Sequence, residues 1–168
     1  MTGLQQMILI GEISLQSQIA KKAAERLLAT HEVFDNVETW CSIQSILVAA
    51  GNVSKILWPS QKYKLRGQKL RKLLGVEDNN PLASRKFRNH FEHYDERVEE
   101  WFENNSQGVY VDLSMNPSLR SLHFSLPPLN THRGYNSFNN SVVFRSETLY
   151  LDEILSALDI LFKACRSY

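Results

Sequence analysis

Apolar residues recur at helical spacing through the first third of the chain. Leu4, Met7, Ile8, Ile10, Leu15, Ile19, Ala23, Leu27 and Leu28 fall three or four apart, with Gly11 as an interruption. The pattern predicts a helix over about residues 3–30. Asp35 or Asn36 is placed to cap a second helix running through Trp40, Ile43, Leu47, Ala50, Val53 and Leu57, which Pro59 stops. "KLRGQKLRKLLGV" predicts a short basic helix ended by Gly75. Asn80 then caps a helix with Pro81 at its first position, expected to continue to about Glu103. After Asn104 the chain turns to Ser, Asn, Gly and Pro. Val109–Leu113 alternates, Leu122–Leu126 suits extended chain, and "VVFRSETLYL" suits a hairpin turning at Ser146–Glu147. "LDEILSALDILFKAC" closes the chain as an amphipathic helix. The expectation is mainly α: an antiparallel bundle of four to five helices, with a loop and β-hairpin insertion at 104–147 before the last helix. At 168 residues one domain is the natural reading.

Charge changes this picture locally. The net formal charge is only +1. From Lys62 to Arg88, however, nine basic residues stand against Glu77 and Asp78, and from Glu92 to Glu103 six acidic residues stand against Arg97. The basic stretch reads either as a phosphate-attracting rim or as solvated helix faces. On the first reading Lys69, Arg71, Lys72, Arg85 and Lys86 are the candidate RNA contacts. The N-terminus lacks the basic start and long apolar run of a signal peptide, and no segment approaches membrane-spanning length. The expected location is the cytoplasm. Cys41 and Cys165 sit in apolar helical patterns without a CxxC neighbour, and are expected to be core thiols. No zinc-ligand spacing is present, and "HE" at His31–Glu32 lacks the rest of a zincin motif. No metal or cofactor is expected. His123 and His132 are expected at the surface, "LHFSLPPLN" as a loop, and Tyr63 either as a base-stacking ring or as plain surface.

The stretch "FRNHFEHYDE", Phe87–Glu96, crowds an arginine, an asparagine and two histidines together. On a continuous helix of about 100° per residue, Phe87, Phe91, Tyr94, Val98, Trp101 and Phe102 form one apolar face. Asn89 and His93 point to the opposite face, one turn apart, with Arg88 on its flank. His90 falls at the margin of the apolar face, where a packed histidine is expected. Arg85 and His90 repeat the Arg-to-His spacing, but Lys86 follows that arginine rather than an amide.

Arg88-Asn89-x-x-x-His93 resembles the RNxxxH signature of the HEPN superfamily of helical ribonucleases, and the predicted helices outside 104–147 are similar to its layout. The resemblance implies a metal-independent endoribonuclease, a toxin or antiviral abortive-infection effector, acting at a composite site in a homodimer. It implies Arg88 on the phosphate, His93 in proton transfer and Asn89 in positioning. These residue types suit attack by a neighbouring 2′-OH. A histidine near its ordinary pKa of ~6.5 moves protons close to neutrality. A guanidinium meets the growing phosphate charge with two N–H groups. Possible partners are RNA and an antitoxin or nucleotidyltransferase. The tyrosine that such transferases modify stands two places after the histidine, where this chain has Asp95. The alternatives are a catalytically silent HEPN-like interaction module and an RNA-binding regulator that does not cleave.

Overall fold

The computed structural model describes residues 2–33, 35–105, 108–120 and 131–168. The fold is mainly helical with a small four-stranded sheet. The chain divides into two compact units, Met1–Arg88 with Glu153–Tyr168, and Asn89–Asp152.

The first unit opens with α1, Gly3–Ala29, and α2, Asn36–Leu57. Thr2 and Gln5 cap α1 reciprocally, each side chain bonding the other's backbone N–H. Asp35 caps α2 by accepting from the Glu38 N–H at 2.9 Å. The two helices run antiparallel, because Thr39 bonds Thr30 at one end and Asn52 meets Gln16 at the other. Ala20 and Ala23 on α1, and Ala49, Ala50 and Gly51 on α2, are buried. Such small residues let helix axes come close. A 3₁₀ turn, Gln61–Tyr63, leads into α3, Lys64–Leu74. Gly75 ends α3 in the left-handed conformation (φ 65°), which a side chain would disfavour. Most of the last helix, α7, Leu151–Cys165, belongs to this unit, and the Tyr168 hydroxyl bonds the Leu73 carbonyl.

The helix expected from Asn80 to Glu103 is in three pieces. Asn80 caps only a 3₁₀ turn, Pro81–Ala83. Ser84 is then extended, and its hydroxyl meets the Lys86 N–H at the start of α4, Lys86–Glu92. His93 leaves helical geometry (φ −108°, ψ 41°) before α5, Tyr94–Asn104. The break separates two anchors, since His90 stacks on Phe144 while the Tyr94 hydroxyl bonds Asp112.

The second unit adds β1, Ser114–Met115, a short α6, Pro117–Arg120, and strands β2, Arg133–Asn136, β3, Ser141–Phe144, and β4, Glu147–Tyr150. Sheet order is β1-β2-β3-β4, with β1 parallel to β2 and the other pairs antiparallel. The expected hairpin is β3–β4. Its turn falls one residue early, at Arg145–Ser146, where Arg145 takes a positive φ of 54°. Val109–Leu113 forms no strand, only a bridge from Val111 to Thr131. The expected extension at Leu122–Leu126, with His123 and the tandem prolines, lies outside the described residues. Among those described, no helix is long and apolar enough to cross a membrane.

Candidate active site

α4 carries Arg88 as the last residue of the first unit and Asn89 as the first of the second. Arg88 is half-buried, and its stem lies over Gly51 of α2. A Cβ at Gly51 would sit 2.8 Å from Arg88 Cδ and 3.3 Å from Cγ. Glycine is therefore what lets that stem pass. Asn89 is exposed, and its carbonyl accepts from the His93 N–H at 3.0 Å, so the two stay one turn apart despite the break at His93. The His93 side chain is 50% exposed, with Nδ1 3.6 Å from the Glu96 carboxylate. That distance is too long for a hydrogen bond.

His90 differs sharply. Its side chain is 12% exposed, it stacks on Phe144 at 4.3 Å with planes 6° apart, and Nε2 lies 3.6 Å from Glu147. It is a packed residue of the second unit.

The basic residues separate into two groups. Lys69, Lys72 and Lys86 are exposed and Arg85 half-exposed. Arg71 is engaged instead: its guanidinium bonds the Leu57 carbonyl at 2.5 Å and Asp78 at 2.8 Å, and lies over the Trp58 ring. Arg66 likewise reaches the Lys55 and Ile56 carbonyls. Two arginines of α3 thus serve the open carbonyls at the C-terminus of α2, where positive charge is favoured. Part of the basic excess is structural.

The sequence did not reveal the polar centre of the second unit. Asp112 accepts from the Arg133 backbone N–H at 3.1 Å and from Nε at 3.0 Å. The Tyr94 hydroxyl bonds Asp112 at 2.6 Å and also meets the Tyr110 hydroxyl, while the Arg133 guanidinium lies 3.8 Å over the Tyr94 ring. Burial pushes the Asp112 carboxyl up, but its bonds to Arg133 and Tyr94 outweigh that and hold it below the usual range. Burial and the bond to Asp112 push the Tyr94 phenol up. His132, expected at the surface, is fully buried, and neither ring nitrogen has a hydrogen-bond partner among the described residues. It packs against Tyr110, Trp101 and Phe144. Burial, with Arg145 nearby, lowers its pKa to about 4. Only the aromatic spacing of α5 hinted at this centre. Asp112 and His132 come from irregular chain and Arg133 from the first position of β2, and no period marks any of them.

Two further expectations are corrected. Cys41 is exposed, because its position on α2 falls outside the buried face, whereas Cys165 is buried. Phe102 is 52% exposed rather than on the core face, and its ring edges Trp101 and stacks on Tyr110. Among the described residues no group of three His, Cys, Asp or Glu is placed to hold a metal. Comparisons with protein-family models, with curated proteins and with solved structures each return no match.

Proposed function

We propose that the chain is a metal-independent endoribonuclease of HEPN type, acting as a homodimer in the cytoplasm as a toxin or abortive-infection effector. The reading includes an antiparallel bundle of four to five helices with the hairpin insertion before α7. The observation that carries it is the RNxxxH run, whose Asn89 and His93 are solvent-accessible one turn apart while the neighbouring His90 is packed away. In the reaction Arg88 contacts the phosphate and His93 transfers the proton between the 2′-oxygen, the leaving 5′-oxygen and solvent. Asn89 orients the imidazole or the phosphate. A neighbouring 2′-OH is the nucleophile, so the products are a 2′,3′-cyclic phosphate and a 5′-hydroxyl. Lys69, Lys72, Arg85 and Lys86 supply the sequence-independent attraction to RNA.

The test is cleavage of a mixed RNA pool by purified protein in EDTA. Arg88→Ala and His93→Ala are each expected to lower the rate by about 10²-fold or more. His90→Ala is expected to lower thermal stability instead. Full activity in His93→Ala with complete loss in His90→Ala would refute the assignment.

A second reading has its own observation. Asp95, Glu96, Glu99, Glu100 and Glu103 are all exposed on α5, directly after His93, and repel a polyanion. A silent HEPN-like interaction module would tolerate them. Absence of RNA cleavage, with normal growth on overexpression, favours that reading. A salt-sensitive RNA gel shift without cleavage favours a binding regulator.

A further inference from the structure

α1 is apolar on two opposite sides. One side carries Ile10, Ile13, Ala20, Ala23 and Leu27, all buried. The other carries Leu4, Met7, Ile8, Leu15 and Ile19, exposed by 70%, 64%, 61%, 50% and 39%. At about 100° per residue, these five and Gly11 fall within a sector of about 120°. Gly11 is exposed in the middle of that stripe, and a Cβ there would meet nothing within 4 Å. A helix with apolar residues on both sides is one that is covered on both sides. A glycine weakens a helix interior. Nothing described within the chain uses the missing side chain, whereas a second helix crossing at that point would.

Charge and area select the occupant. From Gly3 to Gln18 the only charged residue is Glu12, and its carboxylate is taken by the Gln16 amide at 2.7 Å. A helix that binds an anionic lipid surface carries Lys and Arg beside its apolar stripe, and none stands beside this one between Leu4 and Ile19, Lys21 and Lys22 following only past its end. Gln5 and Ser14 flank the stripe and Gln18 stands within it, neutral groups that can hydrogen-bond to copies of themselves. The exposed apolar patch is on the order of 500 Å², the size that marks an interaction site on a monomer. Two such patches face to face bury about 1,000 Å², the lower bound for a specific interface, before the rim is counted. An antiparallel copy centred on Gly11 sets Gly11 opposite Gly11 and Met7 opposite Leu15, and brings Leu4 within one residue of the level of Ile19 and Ile8 within one residue of the level of Leu15. Each apolar residue of the stripe then has an apolar residue at its own level or one residue away, with Gln18, Ser14 and Gly3 directly opposite Leu4, Ile8 and Ile19.

We propose that this face of α1 is an isologous homodimer interface, an antiparallel helix pair with its two-fold axis at Gly11. The proposal stands independently of the ribonuclease reading.

The experiment is light scattering and sedimentation of the full chain over a range of concentrations, with circular dichroism as the check on folding. Wild type is expected to be dimeric. Ile8→Glu is expected to be monomeric with an unchanged spectrum, while Ile160→Glu, at an equally exposed site on α7, should remain dimeric. In a Cys41→Ser background, Gly11→Cys should form a disulfide dimer under mild oxidation, because a residue on the axis meets itself. Leu4→Cys alone should not. Monomeric wild type, a dimer indifferent to Ile8→Glu, or Gly11→Cys that stays uncross-linked would overturn the interface. Flotation of monomeric wild type with anionic vesicles, lost in Ile8→Glu, would overturn it in favour of a lipid surface. RNA cleavage separates the two ideas. A cleaving Ile8→Glu monomer refutes the composite site and leaves the interface standing. A wild-type dimer that never cleaves refutes the ribonuclease and also leaves it standing.

Discussion

The interiors of the two units are made from different materials. In the first, Ile13, Ile43, Ile46, Leu57, Leu70, Leu158 and Leu161 are buried to within 1% of completely. Their attraction is non-directional and scales with area. In the second, the buried rings of Trp101, His132 and Phe144 stand with the Asp112–Arg133 pair and the Tyr94 and Tyr110 phenols. That assembly depends on direction, partner and protonation state. A core of the first kind tolerates exchange among side chains of similar volume. One of the second kind fails when either member of a bonded pair is lost, because the other is left buried without its partner.

The largest expected effect tests that contrast directly. Asp112→Ala leaves the Arg133 guanidinium, 15% exposed, without its carboxylate. The expected loss is about 3–5 kcal/mol by urea denaturation. Replacing both partners with apolar residues, Asp112→Leu with Arg133→Met, should recover most of that loss, since burying two charges is itself costly. A loss of Asp112→Ala below about 1 kcal/mol would mean that solvent screens the pair as it does at a surface. The contrast between the units would then fail.

Legibility in the sequence follows the same division. α1, α2, α3 and α7 announce themselves by a 3.6-residue period and by caps at Asp35 and Gly75, so each was readable to within a residue or two. The second unit was readable only where it keeps a period, at β3–β4. β2 was missed because "RGYN" has neither alternation nor β-branched residues. The break at His93 was missed because its cause is long-range: Phe144 and Asp112 anchor the two sides, and no wheel contains them. The candidate residues themselves were legible from side-chain chemistry. What local pattern could not supply was the Gly51 seat under Arg88, which requires knowing that α2 passes there.

That seat gives the next prediction, for it is the place where the aliphatic unit holds a candidate catalytic side chain. Gly51→Ala brings a methyl into the Arg88 stem. Overpacking of this kind costs about 1–3 kcal/mol, and a flexible stem that can swing aside puts the cost at the low end. On the proposed function the guanidinium is then displaced, so cleavage should fall by about tenfold or more, since small misplacements at a reacting centre are costly. Thermal unfolding and the cleavage rate, measured on the same preparation, separate the two effects. Unchanged cleavage in a folded Gly51→Ala protein would show that the seat of Arg88 does not matter to the reaction.

The smallest effect isolates protonation. His132 is buried with a pKa near 4, against an ordinary 6.5. Above about pH 6.5 the ring is neutral both folded and unfolded, and contributes no pH dependence. Between about 6.5 and 4 the unfolded chain takes up a proton that the folded chain refuses, so stability falls as the pH falls. The slope cannot exceed about 1.4 kcal/mol per pH unit for one group. Asp112 works in a lower window. Its carboxyl is held below 3.8, so the stability it gives persists until the pH drops beneath that value. The two titrations therefore separate along the pH axis. His132→Phe keeps a ring against Tyr110 and Trp101 and forfeits no hydrogen bond made to the described residues. It should match wild type near pH ~7 and lose less stability between about 6.5 and 4. Parallel curves for the two proteins across that window would place the acid sensitivity elsewhere than His132.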